Sequence, residues 1–191
     1  MEHSEQAKYE KMWNIQDYRG GSPDESHLDN FMTFIEPGCS INVYGCGAGR
    51  AGLQLSYLGH TVHMVDIAKN ALDERVNASL GPGLHFHRGN LTELHKFMPC
   101  AAWGYSCDVL EHLPTAWVRP VLKQIFCLTR QVYFYISGVP DAYGKKINDV
   151  LHLTVKPADW WEHELKTVWP ADQVCLRRDD RHSFNFICGG V

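Results

Sequence analysis

Three glycines at alternate positions follow a short apolar segment in the first third of the chain. Ile41–Tyr44 has the β-branched and aromatic residues typical of a buried strand, and Gly45, Gly47 and Gly49 come directly after it. Because glycine tolerates positive φ and carries no Cβ, the backbone N–H groups of such a turn can approach a ligand closely. The spacing therefore predicts a turn, between a strand and a helix, that binds the polar part of a nucleoside.

An acidic residue lies where a nucleoside site requires one. Asp66 ends the next apolar segment, and its carboxylate could accept hydrogen bonds from both hydroxyls of a ribose. The alternative role is to cap a helix that begins near Ala68. A dinucleotide site needs its third glycine three residues after the second, whereas here it comes after two. However, Gly52 lies three residues after Gly49 and supplies that spacing further along, so a dinucleotide stays the competing ligand.

Several segments resemble, in order, the motifs of class I S-adenosylmethionine (SAM) methyltransferases. The fourth of these segments, Cys-Asp-Val-Leu-Glu-His-Leu-Pro, has the Glu-His pair found in many members of that family. A later segment resembles small members, including phage-encoded ones, and the likeness spans residues 18–165. The matching segments are Val43–Arg50, Asp66, Gly89–Leu91, Cys107–Pro114 and Leu151–Thr154 with Trp160 and Trp161.

The resemblance implies SAM as the cofactor, S-adenosylhomocysteine (SAH) as its product and a set of residues that bind them. Tyr18 and Arg19 are expected to fold over the cofactor, with Arg19 meeting its carboxylate. Asn90 departs from the family, which usually has Asp there, but its amide oxygen can still accept a hydrogen bond from adenine. The implied cofactor-binding residues are Tyr18, Arg19, Gly45, Cys46, Gly47, Gly49, Asp66, Ile67, Asn90, Leu91, Cys107, Asp108 and Val109.

Methyl transfer from a sulfonium needs little from a protein beyond placement of the acceptor, because the methyl group is already activated. A general base is needed only where the acceptor must lose a proton. His112 and His152 are the candidate catalytic residues, and Asp141 and Tyr143 are expected at the same edge of the sheet. The alternative for His112 is packing or capping of the next helix, and for His152 it is holding a long loop.

Two groups of residues could hold a metal ion. Asp108, Glu111 and His112 resemble a spacing through which some relatives bind a divalent metal. His85 and His87 alternate along one strand and so share a face, but no further ligand lies near them in the sequence. The metal-free form of the Glu-His motif is the commoner one, so the sequence predicts no metal site.

An alternation of strands and helices positions these residues. Predicted strands and helices alternate between residues 41 and 137, which is typical of a parallel sheet with helices on both faces. Right-handed crossovers then place the glycine turn at the carboxyl edge of the sheet. Beyond Gly138, a tryptophan-rich helix precedes two strands with no helix between them, which predicts an antiparallel hairpin at the sheet edge.

The expected architecture is a single α/β domain over residues 1–191. It is a Rossmann-like three-layer sandwich whose mostly parallel, seven-stranded sheet ends in a C-terminal antiparallel hairpin. Residues 1–36 are expected to form an N-terminal helical cap, with a helix starting at Ser22 or Pro23. The helices after the second, third and fourth strands are predicted over Lys69–Ala78, over Thr92–Phe97 and from about Thr115 to Leu128. The fourth, fifth and last strands are predicted over Ala101–Cys107, Gln131–Ser137 and Ser183–Cys188.

Composition narrows the possible partners and the compartment. The net charge of −4 and a pI near 6.2 argue against a broad nucleic-acid footprint, so nucleic acid is disfavoured. Seven cysteines without a C-x-x-C pair exclude a zinc ribbon and a disulfide framework, which predicts a reducing, cytoplasmic setting. No apolar run reaches the ~20 residues of a membrane span, so no membrane partner is expected. A monomer or homodimer is expected.

The sequence thus predicts transfer of a methyl group from SAM to an acceptor that it does not identify. The Glu-His motif and the acidic charge favour a small-molecule acceptor. Two other functions compete with this one. One is a non-catalytic module that binds SAM or another nucleoside, and the other is an NAD-dependent oxidoreductase.

Overall fold

A seven-stranded sheet forms the centre of the computed structural model, which describes residues 2–21, 24–180 and 182–190. The strands are β1 (Ser40–Tyr44), β2 (Thr61–Asp66), β3 (Leu84–Arg88), β4 (Trp103–Cys107), β5 (Gln131–Ser137), β6 (Val174–Asp179) and β7 (Ser183–Cys188). Their spatial order is β3-β2-β1-β4-β5-β7-β6. Strands β1 to β5 are parallel, whereas β7 is antiparallel to both β5 and β6. The predicted fold class and C-terminal hairpin are confirmed.

Helices cover both faces of this sheet. They are α1 (Glu2–Met12), α2 (Gln16–Gly20), α3 (Leu28–Met32), α4 (Arg50–Tyr57), α5 (Glu74–Ala78), α6 (Thr115–Leu128) and α7 (Ala158–Lys166). Helices α6 and α7 contribute Ile125 and Trp161 to one buried cluster, and α3 and α4 contribute Phe31 and Leu55 to another. Two separate clusters on either side of one sheet make three layers. Within the described ranges, none of the helices has the length and apolarity to span a membrane.

Helix α6 shows how the sequence pattern specifies an element. Val118, Val121, Leu122 and Ile125 are spaced at i, i+3, i+4 and i+7, and all four are buried. This spacing places them on one face of a helix, where burial of apolar surface stabilises its packing against the sheet. The predicted helix Thr115–Leu128 is confirmed at both ends.

The helix predicted over Lys69–Ala78 is wrong in its first half, because α5 begins only at Glu74. The backbone carbonyls of Asn70, Ala71 and Leu72 accept hydrogen bonds from the guanidinium of Arg19, which lies about fifty residues earlier in the chain. These carbonyls therefore have acceptor contacts outside the segment, which replace the i to i+4 bonds of a helix. The helix propensity of this segment depends only on its own residues, so it could not predict the interaction with Arg19.

Three other boundaries differ from the prediction. The helix predicted over Thr92–Phe97 is a 3₁₀ segment, Leu91–Lys96, that is kinked at Glu93. Strand β4 begins at Trp103, not at residue 101. The predicted helix start at Ser22 or Pro23 lies outside the described residues.

The order of the strands creates a crevice at the carboxyl edge of the sheet. Strand β2 lies on one side of β1 and β4 on the other, so the connections that leave β1 and β4 diverge. Gly45 follows β1, Asp66 ends β2 and Asp108 follows β4. The parallel strands therefore bring residues from three distant parts of the chain to one edge.

The N-terminal segment divides between the core and this edge. Leu28 and Phe31 of α3 belong to the core cluster of α4, while Trp13, just after α1, packs with Ala48 and Ala68 beside the glycine turn. Helix α1 therefore contacts the region of the crevice, and α3 contacts the sheet. The single domain over residues 1–191 and the cap boundary at residue 36 stay predictions.

Candidate functional site

A cavity of about 470 Å³ opens where the strand order reverses. Its volume lies within the range of ~300–1,000 Å³ typical of small-molecule sites. The predicted site residues that line it are Tyr18, Gly45, Gly47, Asp66, Ile67, Asn90, Leu91, Cys107, Asp108, Val109, His112 and His152. Asp141 and Tyr143 line it too. Most of the residues selected from the sequence therefore surround one cavity.

The glycine turn requires glycine for two distinct reasons. Gly45, Gly47 and Gly49 all have positive φ, at 69°, 50° and 78°. A Cβ on Gly45 would lie 2.5 Å from a methyl group of Val109, which follows β4. Both the backbone conformation and the close approach of the next strand's connection therefore exclude a side chain at this position.

Asp66 is buried and holds the glycine turn to the end of β2. Its Oδ2 accepts from the N–H of Gly47 and its Oδ1 from the N–H of Ala68, each at 2.9 Å. Burial raises the pKa of Asp66, and the N–H groups of Ala68 and Gly47 oppose that shift. No α-helix begins at Ala68, since the following one starts at Glu74, so the alternative role as a helix cap is wrong. Each carboxylate oxygen keeps a further lone pair for a ligand.

Asn90 uses its amide oxygen within its own loop. Oδ1 accepts from the N–H of Thr92 at 3.0 Å and so caps the 3₁₀ segment that begins at Leu91. Asn90, Leu91 and Thr92 line the part of the cavity beside Gly89. The amide oxygen expected to accept from adenine is therefore already hydrogen-bonded in this structure.

Three predicted cofactor residues do not line the cavity. The guanidinium of Arg19 donates to the carbonyl oxygens of Trp13 at 2.8 Å and Asn70 at 2.7 Å, besides two further carbonyls after β2. It links α2 to the segment after β2 and is not among the lining residues. Cys46 is buried, with 1% of its surface exposed, and Gly49 is the N-cap residue of α4.

Helix α1 and the residue after it supply one wall of the cavity, which the sequence did not predict. Glu5, Tyr9 and Trp13 all line it. They lie four residues apart, and therefore on one face of a helix, which was the available sequence signal. Lys8 of the same helix donates to the carbonyl of Val150 at 3.4 Å and so links α1 to the connection after β5.

Two histidines and a tyrosine meet at the end of the cavity below α1. Nδ1 of His112 lies 2.8 Å from the hydroxyl of Tyr9 and 3.2 Å from the carbonyl oxygen of Leu151. Nδ1 of His152 lies 2.7 Å from the carbonyl oxygen of Val139. Because a carbonyl only accepts, Nδ1 of His152 carries the proton of that ring, which leaves its Nε2 as an acceptor. Nδ1 of His112 has two partners, and it either accepts from the Tyr9 hydroxyl or donates to the carbonyl of Leu151.

Burial controls the charge of this end of the cavity. The rings of His112 and His152 are perpendicular, with centroids 4.7 Å apart. Burial lowers the pKa of His112 to about 4, although the carboxylate of Asp108 opposes the shift. His112 is therefore a neutral imidazole at physiological pH. Burial also raises the pKa of the Tyr9 hydroxyl, which stays protonated.

Glu111, part of the fourth motif, acts from behind the cavity wall. Its backbone carbonyl accepts from the N–H groups of Leu153 and Thr154, and its Oε1 accepts from the N–H of Ser137. It thereby ties the end of β5 to the segment that carries His152. Burial raises the pKa of Glu111 well above its usual value, and the neighbouring carboxylate of Asp108 raises it further.

The cavity wall is acidic. Five carboxylate residues line it, and no lysine or arginine is found among the described lining residues. The acids are Glu5, Asp24, Asp66, Asp108 and Asp141. The charge of the wall favours a ligand that carries positive charge.

One group of side chains has the geometry to hold a metal ion. Ligand atoms of Asp108, His112 and His152 all lie within 4.8 Å of one another. On the outer strands, His63 joins the predicted pair: its Nδ1 lies 3.2 Å from Nε2 of His87, and its ring stacks on that of His85. The three histidines of β2 and β3 form a cluster outside the cavity.

Comparison with known proteins places the fold among methyltransferase structures. No protein-family model matches the chain, and no curated protein sequence matches it either. The PH0226 protein from Pyrococcus horikoshii OT3 superposes with a TM-score of 0.69 at 16% identity, over 94% of this chain and 93% of that one. These identities show a shared fold.

Two further solved structures have names that state an activity. A SAM-dependent methyltransferase from Mesorhizobium loti superposes with a TM-score of 0.64 at 14% identity, over 88% of this chain and 98% of that one. Magnesium protoporphyrin IX methyltransferase from Synechocystis PCC 6803, with bound SAH, gives 0.59 at 18% identity, over 87% and 81% of the two chains. The chain thus has the fold of class I methyltransferases.

Proposed function

We propose that the protein is a SAM-dependent methyltransferase whose cofactor occupies the cavity at the switch point. The observation that carries the proposal is the pairing of Asp66 with the glycine turn. A buried carboxylate, held by two backbone N–H groups and keeping free lone pairs, suits the two hydroxyls of a ribose. The fold shared with structures that contain SAM or SAH supports the same ligand.

The wall chemistry supports SAM over a dinucleotide. SAM bears a sulfonium and an ammonium group, and its sulfonium supplies an activated methyl group. The acidic wall is complementary to that positive charge, whereas a pyrophosphate would meet Asp66 and Asp108 with like charge. Lining residues also include Tyr9, Trp13 and Tyr18, whose rings attract cations through their faces.

The acceptor end of the cavity is assigned to His112, His152, Asp141 and Tyr143. These residues line the same cavity as the glycine turn. Placement of the acceptor in line with the methyl group is the main task of such an end. A small-molecule acceptor is favoured, because α1 forms one wall of the cavity and Lys8 links this helix to the connection after β5.

Calorimetric titration with SAM and SAH tests the cofactor. We expect both to bind at one site, and NAD not to displace them. Asp66→Ala is expected to weaken SAM binding by about 1–3 kcal/mol, because the ribose loses charge-assisted hydrogen bonds. Asp29→Ala, which removes an exposed carboxylate from α3, is the matched control and should leave the affinity unchanged.

Three outcomes would redirect the proposal. No binding of SAM or SAH at millimolar concentration would refute the cofactor, and displacement by NAD would favour an oxidoreductase. Unchanged affinity in Asp66→Ala would refute the assigned pocket. SAM binding without methyl transfer to any component of a host metabolite extract would favour a non-catalytic binding module.

A further inference from the structure

Asp108, His112 and His152 come together from two distant parts of the chain at the acceptor end of the cavity. Asp108 and His112 follow β4, while His152 lies forty residues beyond His112, in the long connection after β5. One ligand atom from each side chain lies within 4.8 Å of the other two. Two imidazoles and one carboxylate form a ligand set typical of divalent first-row transition ions that keep open coordination positions.

A backbone carbonyl lies against Nδ1 of each imidazole ring. Nδ1 of His152 donates to the carbonyl oxygen of Val139, and Nδ1 of His112 lies against the carbonyl oxygen of Leu151. The carbonyl on Nδ1 of His152 fixes its tautomer and leaves Nε2 with its lone pair, as is usual for ligating histidines, and His112 has the same tautomer when its Nδ1 donates to Leu151.

The backbone at Asp108 presents its side chain in an unusual way. Asp108 has a φ of 58°, in the left-handed region, which few residues other than glycine adopt without strain. Behind it, Oε2 of the buried Glu111 has no hydrogen-bond partner among the residues that the structure describes. The wall therefore combines Asp108, whose backbone is in the left-handed region, with the buried carboxyl group of Glu111 beside it.

We propose that Asp108, His112 and His152 form a binding site for one divalent transition-metal ion that faces the cavity. Ligands ~2.1 Å from one ion lie at most ~4.2 Å apart, so the side chains must draw together by roughly half an ångström. The remaining coordination positions of the ion point into the cavity, where water or an oxygen of a bound molecule completes the shell. The site shares His112 and His152 with the acceptor end assigned above, but the binding of the ion does not depend on methyl transfer.

Cobalt(II) is the probe of choice, because its visible absorption and its paramagnetism both report coordination. The full-length protein, freed of metal with a chelator and without SAM, is titrated with Co²⁺. We expect one ion whose affinity falls at least about tenfold in Asp108→Asn and in His152→Gln. Asparagine tolerates the left-handed conformation, so Asp108→Asn keeps the backbone.

The histidine cluster of β2 and β3 could bind the same ion and therefore supplies the control. His87→Gln makes the matched change in that cluster and should leave the affinity of the cavity ion unchanged. The absence of Co²⁺ binding at millimolar concentration would overturn the proposal, as would binding that only His87→Gln weakens. Should either cavity variant fail to fold, paramagnetic broadening in the wild-type protein decides: the ring signals of His112 and His152 must broaden before that of His87.

Discussion

Glu111 is buried with no exposed surface, and replacing its carboxyl group should change how the stability of the protein depends on pH. Oε1 accepts from the N–H of Ser137, while within the described part of the chain Oε2 has no hydrogen-bond partner. Glu111→Gln keeps the first oxygen and replaces the second with an amide. The variant therefore preserves the link to β5 and removes the ability to ionise.

The magnitude follows from the direction of the pKa shift. Burial, together with the carboxylate of Asp108, raises the pKa of Glu111 in the folded protein well above its value in the unfolded chain, which is about 4.3. Between these two pKa values, the folded state holds a proton that the unfolded state has released. The free energy of unfolding of the wild type therefore falls by about 1.4 kcal/mol per pH unit across that window because of this group.

Glu111→Gln lacks this contribution, so its stability relative to the wild type should increase with pH. We expect the difference in free energy of unfolding to grow by about 1.4 kcal/mol per unit above pH ~4.3 and to level off at the folded pKa. Urea denaturation of both proteins between pH 4 and pH 8, with a chelator present, measures it. Titrating groups that do not interact with Glu111 cancel in the difference.

A second variant separates charge from hydrogen bonding. Glu111→Ala leaves the buried N–H of Ser137 without its acceptor and should be destabilised by about 1–3 kcal/mol at pH 4, where Glu111→Gln and the wild type should be alike. A difference between Glu111→Gln and the wild type that stays constant, or shrinks, as the pH rises would refute the assigned protonation of Glu111.

Three further substitutions test other parts of the structure. Arg19→Lys should lower the free energy of unfolding by about 1–3 kcal/mol in urea denaturation, because a lysine ammonium cannot donate to four carbonyls at once. A loss of SAM affinity without destabilisation would contradict this structural role of Arg19. Gly45→Ala should abolish SAM binding in calorimetry, because its Cβ would clash with Val109. Gly38→Ala has a similar φ of 73° but open space around its Cβ, so it should cost about 1–2 kcal/mol of stability and leave binding intact. Equal effects of the two variants on binding would show that the clash with Val109 is not the cause. Tyr9→Phe should cost about 0.5–1.5 kcal/mol in urea denaturation by removing the hydrogen bond to His112, and an unchanged stability would argue against that contact.

The sheet and much of the cavity wall followed from local patterns in the sequence. Continuous apolar segments predicted β5 over Gln131–Ser137 and β7 over Ser183–Cys188, and both are confirmed. Residues that end or follow parallel strands, such as Asp66 and Asp108, must meet at one edge whatever the details of packing. That is why the sequence could place them in one cavity.

The features that the sequence did not predict come from interactions between distant residues, while the cofactor contact of Arg19 stays a prediction. Arg19 was expected to meet the cofactor, but its guanidinium is bonded to carbonyls near Asn70, which also explains the shortened helix α5. The wall formed by Tyr9 depends on how α1 docks, and its sequence pattern does not encode that docking. The approach of His152 to Asp108 depends on the connection after β5, whose conformation no local periodicity determines.

The central claim is that the cavity binds SAM with its ribose on Asp66. The most direct test is a crystal structure of the full-length protein grown with SAH, with the affinity measured in the same preparation. We predict that the two ribose hydroxyls lie within hydrogen-bonding distance of the Asp66 carboxylate, and that the thioether sulfur faces His112 and His152. SAH bound outside this cavity, or inside it with Asp66 still free of the ribose, would contradict the account.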